Sequence, residues 1–257
     1  MTDIKRLFIL LCGYEILPKS ISVMGADNRF LLSEPICAYL LDTTHGWVLL
    51  DAGMDPKHVH DPLRLQTYFG QYGMVPPVIK KQHDLESQLA TLGVRLSDIA
   101  WIILSHLHFD HAGYIKHCPQ ARVSVQRREH AAALQSTSTA YIAEDFNTPT
   151  IQWDLRDGDW DAFAGLTLLD TRGHSDGHQS ALLRLKHTGP LILTFDAGDL
   201  RENFTHSIPP GVCTDQSAAL QSIRRLQDLA RSEQAQLILF HDPEEIQTLR
   251  LSPDHYA

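Results

Sequence analysis

The residues most able to do chemistry stand where an apolar run stops. Trp101 to Leu104 is followed at once by Ser105-His106-Leu107-His108-Phe109-Asp110-His111, which places four side chains able to hold a metal ion within six positions. If the apolar run is a strand, its period of two projects His106 and His108 to the same side, and the turn after it brings Asp110 and His111 in from another direction. Three further candidates follow apolar runs in the second half: His174 in Thr171-Arg172-Gly173-His174-Ser175, Asp196 after Leu191 to Phe195, and His241 after Leu237 to Phe240. A single histidine behind a strand is more often a hydrogen-bonded structural group, so each of these is weak alone. Together the seven residues offer five imidazoles and two carboxylates. That is enough for two metal sites of about four or five ligands each, with room left for water.

Something must position them, and the apolar runs supply it. Leu7 to Leu11, Ile36 to Leu41, Trp47 to Leu50, Trp101 to Leu104, Leu166 to Leu169, Ala181 to Leu185, Leu191 to Phe195 and Leu237 to Phe240 read as strands. Helical spacing appears between some of them: Leu85, Leu89 and Leu92 after His83-Asp84, and Leu220, Ile223, Leu226 and Leu229 after the capping residue Asp215. Strands alternating with helices predict an α/β chain whose helices cover sheets from outside. At 257 residues, with no low-complexity stretch or repeat at which to cut it, residues 1–257 are expected to form one domain.

Composition narrows the function. The formal net charge is -9 and no Lys/Arg cluster would track a phosphate backbone, so nucleic acid is not an expected partner. Fifteen histidines against four cysteines favour imidazole and carboxylate ligation over a thiolate zinc module. Cys12, Cys37, Cys118 and Cys213 show no paired spacing and are expected to be buried and reduced. Lys5-Arg6 before Leu7 to Cys12 is a poor export signal: the apolar run is shorter than the roughly 7 to 15 residues such a signal needs. An opening buried strand is expected there. No segment approaches the roughly 18 apolar residues of a membrane span, so the expectation is a soluble, cytoplasmic protein with no membrane partner.

Residues 54–82 break the pattern with four prolines and the aromatic residues Tyr68, Phe69 and Tyr72. So long a loop is usually functional, and a lid or substrate wall is the first reading. The alternative is a partly helical surface insertion with its aromatics packed down.

The motifs carry a resemblance. H-x-H-x-D-H at His106 to His111, G-H-S-x-G-H at Gly173 to His178, Phe195-Asp196-Ala197 and Phe240-His241-Asp242 resemble the metallo-β-lactamase superfamily, and within it the bacterial N-acyl homoserine lactonases. Leu50-Asp51-Ala52-Gly53-Met54, Phe109 to Gly113 and Arg201-Glu202-Asn203-Phe204 extend the likeness over nearly the whole chain. The resemblance implies a four-layer αββα sandwich, two β-sheets flanked by helices, with two divalent metal ions. Zinc is expected first, with iron, cobalt or manganese as alternatives. Carried over by position, His106, His108 and His174 hold one metal, Asp110, His111 and His241 the other, and Asp196 bridges them. Asp51 is expected behind the ligands, accepting a hydrogen bond from an imidazole; the alternative is a turn-forming Asp before Gly53. The implied reaction is opening of a lactone ring by a hydroxide shared between the metals, with Asp110 passing a proton to the leaving alkoxide. The implied partners are a small lactone and a second copy in a homodimer.

Loops choose the substrate, so another lactone, a thioester as in glyoxalase II, or an organophosphate are rival substrates on the same ligands. A protein that keeps the metals for stability and binds a partner or ligand without turnover is a rival of another class, disfavoured because a structural zinc site closes with four ligands and needs no second metal. Tyr68, Phe69, Tyr72 and Phe146 are the candidates for an acyl-chain wall. His178 is read as structural. Asp199 stands where many of these lactonases have a tyrosine; as an ionised carboxylate it cannot donate a hydrogen bond, and it is expected to pair with Arg201 or lie in solvent.

Overall fold

The computed structural model describes residues 2–257 and arranges its strands in two sheets. In the first, β1 (Ile4–Pro18), β2 (Leu31–Thr43), β3 (Gly46–Leu50), β4 (Ile99–Ile103), β5 (Arg122–Gln126) and β6 (Gln152–Arg156) lie side by side in chain order. The β1–β2–β3 pairs are antiparallel and the rest parallel. The second sheet holds β7 (Trp160–Phe163), β8 (Leu166–Asp170), β9 (Gln179–Leu185), β10 (Gly189–Phe195) and β11 (Gln236–Leu239) in the order β11-β10-β9-β8-β7, with only β10 and β11 parallel.

The strands read as unbroken apolar runs because both faces of each sheet are covered. Leu7, Ile9, Tyr39, Leu41 and Ile103 face the second sheet and meet Leu168, Ala181, Leu183, Leu193 and Phe195. Their neighbours Phe8, Leu10, Leu40 and Ile102 face outwards, where Leu85 and Leu89 of the helix Leu85–Thr91 and Ala133 cover them. On the far side Ile223 and Leu226 of the helix Gln216–Glu233 pack on Leu182, Ile192 and Leu239. The result is the four-layer αββα order. Truncating one buried leucine of the central layer, such as Leu183→Ala, costs about 2–5 kcal/mol. Both helices start where the sequence puts a cap: Asp84 accepts from the Ser87 amide and Asp215 from the Ala218 amide.

Three strands had no apolar signature. β6 and β7 are edge strands with no fully buried residue, so few apolar side chains were needed. β5 buries polar side chains instead: the Trp101 indole donates to Ser124 Oγ at 2.8 Å and Gln126 donates to Gln179 at 2.9 Å. The N-terminal apolar run lies inside β1. Among the described residues no helix is long and apolar enough to cross a membrane.

Residues 54–82 contain the short helices Lys57–His60 and Pro62–Tyr68, the latter started by Asp61 accepting from the Leu63 and Arg64 amides with Pro62 behind it. Phe69 is buried edge-on against Phe109, ring centres 5.5 Å apart, in a small cluster with Met54, Ile79 and Ile142. The segment is packed down through Phe69 rather than being a free lid, and Met74 from it lines a cavity at the strand ends.

Candidate metal centre

The seven residues named from the sequence meet at one end of the two sheets. Ser105 to His111 follow β4, His174 lies in the turn between β8 and β9, Asp196 follows β10 and His241 follows β11. Two of these strand ends are strained: Asp51, after β3, and Phe195, the last residue of β10, have φ of 54° and 46°. Non-glycine residues in this region persist only where surrounding packing holds them, typically at functional sites. Phe195 is held between Tyr39 and Phe240 at ring distances of 5.7 and 6.1 Å. Gly173, at φ +133°, allows the turn carrying His174 to press against the backbone of Ala218 and Ala219, where any Cβ would collide.

Metal-ligand atoms gather in two groups, His106 with His108, His174 and Asp196, and Asp110 with His111 and His241. Asp196 faces both. Its Oδ2 lies 3.2 Å from His174 Nε2 and 3.6 Å from His106 Nε2, while Oδ1 lies 3.3 Å from His111 Nε2 and 3.5 Å from His241 Nε2. Asp110 Oδ2 completes the second group, 3.0 Å from His111 Nε2 and 3.5 Å from His241 Nε2. His106 Nε2, His111 Nε2, Asp110 Oδ2 and Asp196 Oδ1 are buried without a hydrogen-bond partner. Buried polar atoms are nearly always paired, and four orphaned lone-pair atoms converging on one space fit divalent cations.

A second ring of contacts aims these atoms. Asp51 Oδ2 accepts from His111 Nδ1 at 2.8 Å and from Ser105 Oγ at 2.8 Å, and its Oδ1 accepts the Ser105 amide at 2.7 Å. His241 Nδ1 donates to the Pro35 carbonyl at 3.0 Å. In both histidines the bond fixes the tautomer and leaves Nε2 to face the centre. Burial, and then neighbouring histidines, push His106 and His108 well below the ordinary imidazole value, which keeps them unprotonated. Burial would also lower His111, but Asp110, Asp196 and Asp51 outweigh it and hold it well above. Three such carboxylates around one imidazole describe a place that requires positive charge.

Glu129, which no sequence signal marks, ties the two ligand loops together. It is fully buried and accepts from the Leu107 amide, Tyr141 Oη, Ser175 Oγ and the Gly177 amide at 2.7–3.1 Å. A further acid and histidine group, Asp55, His58 and Asp145, is already served by an ammonium: Lys116 Nζ lies 2.9 Å from Asp55 and 2.7 Å from Asp145. It reads as a structural ion network.

A cavity of about 190 Å³ opens on the centre, with Asp110, Asp196 and His241 in its wall. The aromatic candidates for its apolar side are not there. Phe69 and Phe146 are buried in packing clusters, Tyr68 donates to Glu144 at 2.8 Å, and Tyr72 is 57% exposed outside the cavity lining. Leu17, Ile21, Met74, Phe109 and Val212 line it instead. Asp199 also departs from expectation. Arg201 pairs with Glu245, and its amide donates to Asp242 at 2.8 Å. Asp199 itself is 5% exposed, lines the cavity, and carries a buried Oδ1 with no partner.

Comparison with known proteins agrees with this geometry. The family model of the Metallo-beta-lactamase superfamily matches residues 34–229. The N-acyl homoserine lactonase of Bacillus cereus is 31% identical over 252 residues, covering 98% of this chain and 99% of the relative. The N-acyl homoserine lactonase AttM of Azorhizobium caulinodans is 30% identical with all of both chains covered. Among solved structures, B. thuringiensis AiiA with N-decanoyl-L-homoserine at its active site superposes with a TM-score of 0.91 at 31% identity over all of both chains. An N-acyl homoserine lactone hydrolase with N-hexanoyl-L-homoserine bound at its catalytic metal centre gives 0.88 at 30% identity, again over all of both chains. The chain belongs to the metallo-β-lactamase superfamily, in the group that contains the N-acyl homoserine lactonases.

Proposed function

We propose that this protein hydrolyses the lactone ring of N-acyl homoserine lactones and holds two divalent metal ions, zinc first among them, to do so. The observation that carries the reading is Asp196, whose two carboxylate oxygens face two separate ligand groups. His106, His108 and His174 would hold one ion, Asp110, His111 and His241 the other, with Asp196 shared. Divalent ions bound there supply Lewis acidity, which polarises an ester carbonyl and makes water nucleophilic near neutral pH.

The protein's own groups do the rest. Asp110 faces both the histidines and the cavity, so it is placed to take a proton from the attacking water and hand it to the ring oxygen as that bond breaks. Water's oxygen ends on the carbonyl carbon and the proton on the new alcohol, giving an N-acyl homoserine. Asp51 and the Pro35 carbonyl keep His111 and His241 aimed while charge moves. Leu17, Ile21, Met74 and Val212 give an acyl chain an apolar surface.

Residues 1–257 act as one catalytic domain in this reading, because the ligands come from both sheets and neither half holds a complete set. The cytoplasm is the proposed location, supported by four free cysteines, three of them buried. The test joins elemental analysis to kinetics: about two metals per chain, and higher kcat/KM for N-acyl homoserine lactones than for S-lactoylglutathione or a phosphotriester. Full activity at a single metal per chain defeats the two-metal reading. A thioester turned over at least as well as every lactone defeats the substrate assignment.

A further inference from the structure

Strands β1 and β2 place two glutamates directly opposite each other. Glu15 and Glu34 are register partners, are 8% and 1% exposed, and both line the cavity over the metal centre. Like charges opposed across an antiparallel pair are destabilising, and burial makes them more so unless a cation or hydrogen bonds compensate. Among the described residues neither has a basic ion-pair partner. Glu34 Oε1 accepts from Ser22 Oγ at 2.6 Å, and no side-chain hydrogen bond reaches Glu15. Asp199 enters the same cavity from the other sheet, buried, with its Oδ1 unpartnered. Burial, then neighbouring carboxylates, push the carboxyls of Glu15 and Asp199 well above the usual range.

Three buried carboxyls beside the apolar wall of Leu17, Ile21, Met74, Phe109 and Val212 destabilise the fold, and none of them belongs to the ligand groups. We propose that Glu15, Glu34 and Asp199 form a polar subsite that takes a hydrogen-bond donor on the acyl side of the substrate, so that the enzyme favours acyl chains bearing a hydroxyl near the amide. This rests on the lactonase reading above. A carboxyl oxygen accepts a hydrogen bond whether the group is neutral or ionised, so a donor is what all three can bind. The apolar wall of Leu17, Ile21, Met74 and Val212 suits an aliphatic chain, which places the donor, a hydroxyl, on that chain. Its place is near the amide because the subsite adjoins the reaction centre: Asp199 follows Asp196 by three residues, and Glu34 precedes Pro35, whose carbonyl holds His241.

The test is kcat/KM of the metal-loaded enzyme for N-octanoyl, N-(3-hydroxyoctanoyl) and N-(3-oxooctanoyl) homoserine lactone. A site built around a hydroxyl discriminates against the analogue lacking it, here by about tenfold, and the oxo compound, which can accept only from a protonated carboxyl and donates nothing, falls below the hydroxyl compound. In Glu15→Leu and Glu34→Leu the hydroxyl preference falls towards one, whatever happens to the absolute rates. If neither variant folds, the wild-type ratio decides. A wild-type ratio below about threefold, or a preference that survives intact in both variants, overturns the subsite while leaving the lactonase reading in place. No turnover of any lactone overturns that reading, and the subsite with it.

Discussion

His178 Nε2 accepts the backbone N–H of Asp196 at 3.0 Å, while its Nδ1 donates to the Thr171 carbonyl at 3.0 Å. This pins the carboxylate that faces both ligand groups to the neighbouring turn, and it requires a neutral imidazole. Burial, reinforced by His174, provides one by lowering the pKa to about 3. His178 is thus a positioning residue for Asp196 rather than a ligand.

Replacing it should loosen the centre without removing a donor. His178→Ala is expected to weaken metal binding by about 10–100-fold, read by competition against a chelator. Unchanged metal affinity in a folded variant would show that the hydrogen bond does not position Asp196.

Asp110→Asn keeps shape and loses charge and proton transfer. At equal metal content kcat should fall by more than about a hundredfold, with KM changing less. A loss below about tenfold at full metal loading would remove Asp110 from the proton path.

Glu129 satisfies four donors, three from the two ligand loops and the Tyr141 hydroxyl. Glu129→Ala orphans them, at roughly 1–3 kcal/mol for each that water cannot reach, so a destabilisation above about 3 kcal/mol is expected. Urea unfolding of the metal-free protein measures it, and a variant within about 1 kcal/mol of wild type would mean that solvent replaces the carboxylate.

Asp55 makes a prediction about acid. Burial raises its carboxyl, but hydrogen bonds from His117, Lys116 and the Lys57 amide outweigh that and hold it below the ordinary value. With the folded value depressed, the unfolded chain binds the proton first. The contribution is therefore complete above the unfolded value of about 3.9 and is lost as pH falls through the folded one. Asp55→Asn should cost about 1–3 kcal/mol at pH 7, and its deficit against wild type should shrink by about pH 3. Urea midpoints of metal-free protein at both pH values decide, and a constant deficit would show that Asp55 does not titrate this way.

Much of the centre was legible in the residues because metal ligation needs side chains with lone pairs, and His106, His108, Asp110, His111, His174, Asp196 and His241 each sit on or beside the end of an apolar run. A strand end determines where such a side chain emerges, so type and placement sufficed to name them. Asp51 was marked by the resemblance, because a turn-forming Asp before Gly53 has the same local sequence. Helices covering sheets were legible where strands are buried on both faces, the four-layer order came through the resemblance, and β5, β6 and β7 were missed where edge position or buried polar pairs replaced an apolar run. The cavity was decided by tertiary structure alone. An aromatic residue fills a core or a substrate wall with the same chemistry, so nothing in the sequence separates Phe69, which packs on Phe109, from Leu17 or Val212, which line the cavity from distant parts of the chain. The same holds for carboxylates: Glu129, Glu15 and Glu34 look like ordinary surface acids in sequence, Asp199 like one paired with Arg201 or solvated, and only packing determines which are buried and what they then face.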